Sequence, residues 1–455
     1  MKASSAWIYV ACLLTVGISA VGVSIWSLNA AHYFYADDWG WLERVAFDGW
    51  SDVLRVLPTR IYNDRPAGEV FILLMYKIYG LESHPYNVLW LSLHVLNCMV
   101  FFTLIRKFLP TSRALIGAVL AATWYSTLLA VHWIGAIFDL AGATWCLLCL
   151  LFYLESSKPS RWSPFLLAGS VLMQVLAIRC KEFAIALVVV LASWEFLVIE
   201  GLSFRRHLVR LTPHILVTLI YGVIYLRLYY ANAAFVGSGA YKISLSIPAI
   251  MANAAYYFSQ AFYVPETWPS AVGYGLIVLV VILGLSSRQA LAAVLSSAAL
   301  MAAVLVMPNQ RNALYLYAPH FFLACALCTV RLRSAAITLA TAAFAAIVIS
   351  WPFYSNQWMW SRSFYLGQGR YSLGLMDDYL QQMAGLPPPD SLTIGVKKTY
   401  FDPFSWGHGA SLRIYYRDRM INASVIELKD IKDDVCKNVG GVCLIEQSGH
   451  LVLRK

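Results

Sequence analysis

Stretches of about twenty apolar residues, the length that crosses roughly 30 Å of hydrocarbon as a helix, recur along this chain from residue 7 to residue 353 and then stop. No soluble domain buries so many such segments, and the chain reads as an integral membrane protein. The composition agrees, at 60% hydrophobic and only 13% charged residues. A net charge of +10 would suggest nucleic acid in a soluble protein. Here Lys and Arg sit mainly in short loops between apolar segments, where they set orientation. The expected partner is therefore the lipid bilayer, and not nucleic acid.

About eleven transmembrane helices are predicted, near 7–29, 86–105, 112–131, 134–154, 163–179, 183–200, 212–231, 270–286, 289–307, 313–330 and 334–353. Lys2, Arg106 with Arg113, Lys158 with Arg161, Arg205-Arg206-His207 with Arg210, Arg288, and Arg331 with Arg333 then fall on one side. Positive charge marks the cytoplasm, so the amino terminus lies inside and the carboxyl terminus outside. The first apolar run is longer than a signal-peptide core and reads as a retained helix. Residues 1–353 thus form a transmembrane domain whose first external loop is 30–85, with an interfacial helix near Phe71–Tyr76.

Residues 354–455 form an extracytoplasmic region: a helix running to Pro387-Pro388-Pro389, then a small α/β module. Strands are expected at 391–396, 411–416 and 442–445, the last opening a hairpin through Ser448-Gly449. Seven cysteines lie in or beside apolar helices, where they read as packing. Cys436 and Cys443 fall in the polar region and permit a disulfide there.

The chemistry-bearing residues gather in the external segments. Asp37-Asp38-Trp39 places two adjacent carboxylates just past the first span, where each raises the other's proton affinity and one can serve as a general base. An isolated Asp-Asp in a loop is more often two solvated charges. The same loop, however, carries Asn63-Asp64-Arg65-Pro66 and Glu69, then His84-Pro85-Tyr86-Asn87. Asn87 and His94 share one helical face, while helix-to-helix hydrogen bonding accounts better for Asn97. Asp139 lies inside the fourth span, just below His132-Trp133, as an intramembrane carboxylate in need of a partner. Arg179, Lys181, Glu182 and Arg311 sit externally against the charge bias, which suits an anionic ligand. A divalent cation at Asp37 and Asp38 is a further possibility. No zinc motif, phosphate-binding loop or dinucleotide fingerprint is present.

The Asp-Asp-Trp motif after an amino-terminal span, Arg65-Pro66, His84 and Asn87 leading into the helix with His94, Val131-His132-Trp133-Ile134 with Asp139, and Lys181-Glu182 together resemble the GT-C superfamily of membrane glycosyltransferases. More narrowly they are similar to the protein O-mannosyltransferase-like and tetratricopeptide-linked mannosyltransferase group. The likeness covers roughly the first 200 residues, and the rest through topology alone; the chain departs from the tetratricopeptide-linked group in lacking a repeat array. The resemblance implies inverting transfer of a sugar from a polyprenyl-phosphate donor to a lipid, glycan or protein acceptor on the external face. The catalytic acid would map onto Asp37 or Asp38, and a bacterial inner membrane is the expected location. Two other classes use the same residues: a transporter or flippase of a lipid-linked or anionic solute, with Asp139 and Arg179 lining its path, and a noncatalytic relative.

Overall fold

The computed structural model describes residues 3–28, 33–48, 50–53, 55–60, 64–232, 239, 241–262, 264, 268–330, 357–389, 392–399, 401–428, 436 and 442–454. The membrane part is built of α1 (Ala3–Leu28), α2 (Asp38–Phe47), α3 (Trp50–Val53), α4 (Pro66–Tyr79), α5 (His84–Ile105), α6 (Thr111–Ala122), α7 (Tyr125–His132), α8 (Ile137–Glu155), α9 (Ser163–Ile178), α10 (Leu187–Leu197), α11 (Phe204–Ala231), α12 (Ile247–Ala261), α13 (Ser270–Gly284), α14 (Arg288–Leu305) and α15 (Tyr317–Thr329). His84–Ile105, Ile134–Glu155, Phe204–Ala231 and Arg288–Leu305 are long and apolar enough to cross a bilayer, and shorter apolar helices accompany them. The span expected at 334–353 lies outside the described residues.

Two features show what solvent these helices face. Helix α8 is buried along most of its length and packs on α4, α5, α9 and α15. By contrast α11 exposes Leu216, Leu219, Ile220, Val223 and Leu226, and α13 exposes Val278, Val281 and Ile282. Continuous exposed apolar faces of this size belong against lipid. The fold is that of an integral membrane protein.

Several expected elements differ in detail. The span predicted at 112–131 is two helices, because Trp124 is extended (φ −67°, ψ 141°) and its indole Nε1 donates to the carbonyl of Ala261 at 2.9 Å. Between the spans expected at 212–231 and 270–286 lies α12, which has Pro248 in its first turn. In the carboxyl-terminal region α16 (Gln357–Gln382) leads to β1 (Leu392–Val396), α17 (Ala410–Tyr416), β2 (Ala423–Glu427), β3 (Val442–Gln447) and β4 (His450–Arg454). The sheet order is β2-β1-β3-β4, with β1 parallel to β2 and β3, and β3 antiparallel to β4. The hairpin turn falls at Ser448-Gly449, both at positive φ. Residues 411–416, read as a strand, are helical. Gly409 at φ 104° turns the chain into α17, and Leu412 then packs with Tyr379, Ile394 and Leu444. Cys436 and Cys443 are disulfide-bonded.

This module is tied to the first loop. Arg413 of α17 pairs with Glu43 of α2, and Arg419 pairs with Asp48 at 3.2 Å. Ser372 of α16 donates to the carbonyl of Phe34 at 2.7 Å. The carboxyl-terminal region therefore buttresses the segment that carries the acidic pair.

Candidate active site

The chain enters α2 through Ala36 at φ 53°, a left-handed backbone that a Cβ-bearing residue seldom adopts. Such strain is concentrated at functional sites. Asp37 is the residue before the helix, and Asp38 opens it. The two carboxylates have different environments. Asp38 is buried, and both its oxygens are taken: Oδ1 accepts the N–H of Gly135 at 2.7 Å, and Oδ2 that of Tyr35 at 3.1 Å. It locks the start of α2 to the turn before α8. Asp37 is half-buried. Burial pushes its pKa up to about 6 against the pull of the Arg65 and Lys181 charges and a hydrogen bond from Trp41. Asp38 is pushed well above the ordinary carboxylate range, first by burial and then by the charge of Asp37.

Gly135 is the close approach that makes this possible. A Cβ there would stand 3.1 Å from Oδ1 of each aspartate. Beside it, the Arg65 guanidinium lies over the Phe138 ring at 5.3 Å and the Trp41 ring at 6.0 Å. It donates from Nε and Nη2 to Glu182 at 3.0 and 3.1 Å, a two-pronged pair with planar geometry. Lys181 Nζ donates to Asp139 Oδ2 at 2.9 Å and stands 5.3 Å from the centre of the Tyr315 ring. The intramembrane Asp139 thus has a basic partner. The Lys181 ammonium has three N–H groups, of which one goes to Asp139.

Arg65, Lys181 and Glu182 line a cavity of about 230 Å³. Its other walls are largely apolar, from Phe183, Ile243, Leu300, Val304, Val306 and Met307, with Tyr229 and Tyr315 adding phenol groups. Charged groups bordering an apolar chamber suit a ligand with an anionic head and a hydrocarbon tail.

Two further pairs hold this arrangement. Arg179 donates to Asp64 at 2.6 Å with both side chains buried, and the backbone N–H of Ala67 donates to the Arg179 carbonyl at 3.3 Å. Glu69 pairs with Arg44 at 3.2 Å and accepts the Arg65 N–H at 3.1 Å. Residues 64–69 of the first loop are therefore fastened to the 179–182 turn.

The remaining sequence candidates lie elsewhere. His84 is exposed at the start of α5. Asn87 is buried and donates to the carbonyl of Ser83 at 3.3 Å. His94 lies between the Tyr317 hydroxyl at 2.9 Å and the Ala122 carbonyl at 3.2 Å, joining α5 to α15 and α6. Asn97 donates to Leu140 O and to the same Tyr317 hydroxyl, the helix-to-helix role expected of it. His132 is buried at the end of α7. Arg311 donates to Asn253 Oδ1 at 3.0 Å and covers the Tyr256 ring, fixing α12. None of these six lines the cavity. Sequence reasoning did not find Gly135, Tyr229 or the Trp41–Phe138 shelf. Glycine, tyrosine and phenylalanine are ubiquitous in such a chain, and only the fold selects these copies.

Among the described residues no three His, Cys, Asp or Glu side chains converge as a metal site. Asp38 accepts one backbone N–H on each carboxylate oxygen, and each oxygen keeps a second lone pair.

A bundle of apolar helices with an acidic first loop packed against paired cations defines the fold. The chain shares that fold with ArnT from Cupriavidus metallidurans bound to undecaprenyl phosphate, at a TM-score of 0.52 and 14% identity, over 94% of this chain and 87% of that one. The apo state of the same ArnT aligns over the same shares with a TM-score of 0.42 and 13% identity. No protein-family model and no curated protein matches the sequence. The resemblance drawn from the first-loop residues holds as a likeness of fold.

Proposed function

We propose that this protein is an inverting glycosyltransferase of the hexosyl-transferring type that moves a sugar from a polyprenyl-phosphate donor to an acceptor on the extracytoplasmic face. The observation that carries the reading is the placement of a half-buried carboxylate with a pKa near 6 beside two cations that line a largely apolar cavity. The fold it shares with a protein captured on undecaprenyl phosphate supports a polyprenyl-phosphate partner.

Asp37 is the base, since Asp38 spends both oxygens on backbone N–H groups. The acceptor hydroxyl attacks the anomeric carbon, and its proton passes to Asp37. As the new C–O bond forms, the bond from the anomeric carbon to the phosphate oxygen breaks, and the electron pair leaves with the polyprenyl phosphate. Charge grows on that phosphate, and the positive charges of Arg65 and Lys181 at the cavity wall stabilise it in a water-poor setting. Glu182 and Asp139 hold the two cations in place before the donor arrives. The carboxyl-terminal module, fastened to α2, frames the acceptor side, where a lipid, glycan or protein hydroxyl enters. A bacterial inner membrane, with the amino terminus inside, is the proposed location.

The test is a panel of radiolabelled polyprenyl-phosphate sugars offered to vesicles containing the protein. Label passing from donor to an acceptor as a covalent product supports the reading. Label that crosses the vesicle membrane with the donor intact overturns it in favour of transport.

A further inference from the structure

A second cavity, of about 610 Å³, lies far from the first. It is lined by Ser156 at the end of α8, Ser163 at the start of α9, and Ser203, Arg205, Arg206 and Arg210 at the start of α11. The opposite end of α11 carries Tyr229, a wall residue of the first cavity. The 24 steps along the helix from Arg205 to Tyr229 correspond to roughly 36 Å, about one bilayer. The two cavities therefore occupy opposite faces of the membrane part.

The charges in the second cavity are unbalanced. Arg210 is committed: it donates to Glu195 at 3.1 Å, to Ser156 Oγ at 3.1 Å and to the Tyr153 carbonyl at 2.9 Å. His207 takes the same buried Glu195 at 2.8 Å. That carboxylate is thus already satisfied. Arg205 and Arg206 have no ion pair among the described residues and are exposed. They sit on the first turn of a 28-residue helix, where unsatisfied N–H groups and the helix dipole add positive potential. Its capping residue, Ser203, makes no side-chain bond to the helix. Beside these polar groups Trp162, Phe165, Phe204 and Val209 expose apolar surface. Aromatic rings at this depth mark the membrane interface.

We propose that this cavity binds the phosphate headgroup of an anionic phospholipid from the leaflet opposite the active site. Paired unneutralised arginines recognise the phosphate, and the flanking aromatic and aliphatic side chains receive the acyl chains, which a free phosphate ion would leave uncovered.

The experiment is native mass spectrometry of the full-length protein in detergent, titrated with phosphatidylglycerol or phosphatidylcholine, with inorganic phosphate as competitor. The native protein is expected to retain phosphatidylglycerol in preference to phosphatidylcholine. In the Arg205→Ala/Arg206→Ala double variant that binding should weaken roughly thirtyfold, the loss expected for two basic groups at a membrane surface. The Arg205→Lys/Arg206→Lys variant should keep it within a few-fold. Thermal unfolding in detergent micelles checks that both variants are folded. Equal retention of phosphatidylglycerol by the native protein and the double alanine variant would overturn the proposal. So would displacement of the lipid by an equal concentration of inorganic phosphate, which would make this a site for a soluble anion.

Discussion

Breaking the Asp64–Arg179 pair should loosen the first loop from the 179–182 turn, and the structure predicts unequal costs for its two halves. Both side chains are almost wholly buried and 2.6 Å apart. Removing one partner of such a pair costs about 3–5 kcal/mol, whereas an exposed pair is worth about 0–1 kcal/mol. Asp64 also accepts backbone N–H groups from Thr59 at 2.6 Å and Arg60 at 3.3 Å. In Arg179→Ala those two donors still compensate the carboxylate, which places the loss near 3 kcal/mol. Asp64→Ala strands the guanidinium and both N–H groups and belongs near 5 kcal/mol. Replacing both by apolar residues, as Asp64→Leu/Arg179→Met, should recover most of the loss and yield a large coupling term in the double-mutant cycle. Burial opposes ionisation of Asp64, but the Thr59 N–H and the Arg179 charge win and hold its pKa below 3.8. Its folded value is depressed, so the contribution is complete above the unfolded value and fades as pH falls through the folded one. Denaturant unfolding in micelles gives the stabilities, and hydrogen exchange over residues 55–69 locates the change. Losses below about 1 kcal/mol for both single variants would refute the reasoning, because the pair would then be behaving as a solvated one.

Other consequences follow from the same geometry. The rate of transfer should rise tenfold per pH unit below about 6 and level off above it, as Asp37 loses its proton; a flat profile between pH 5 and 7 would contradict the role given to it. Gly135→Ala should displace the aspartate pair, lowering stability by about 1–3 kcal/mol and transfer more steeply; thermal unfolding and initial rates measure both. Arg413→Ala should free α2 from the carboxyl-terminal module, since Glu43 loses its partner and the carbonyls of His408 and Ile421 lose their donor. Faster hydrogen exchange in α2 and α17 is the expected signature.

The candidate residues stood out in the sequence because they are costly to place. A carboxylate inside a span, cations on the wrong side of the charge bias and adjacent aspartates at a membrane surface are each improbable without a use, and Asp37, Asp139 and Lys181 became candidates on that ground. Their pairing was not legible. Asp139 and Lys181 are distant in sequence, and the packing of α8 on α9 brings them together. His94 carried the same cost and is instead consumed by hydrogen bonds between helices. Residues 411–416 alternate apolar and polar side chains as a strand does, yet six residues are too few to separate period two from period 3.6. The left-handed Gly409 and the packing of Leu412 decide for a helix there. Strand β2 escaped notice because it is largely exposed and carries little apolar pattern. Its place beside β1 comes from the crossover through α17.

The most direct test of the central claim compares the native protein with Asp37→Asn and Asp38→Asn in membranes supplied with a labelled polyprenyl-phosphate sugar and its acceptor. Asp37→Asn keeps the shape of the side chain and removes the base, so transfer should fall by a factor on the order of 10²–10⁴, with folding and donor binding retained. Asp38→Asn should lose stability as well as activity, since its oxygens hold Gly135 and Tyr35. Full transfer by a folded Asp37→Asn protein would contradict the account.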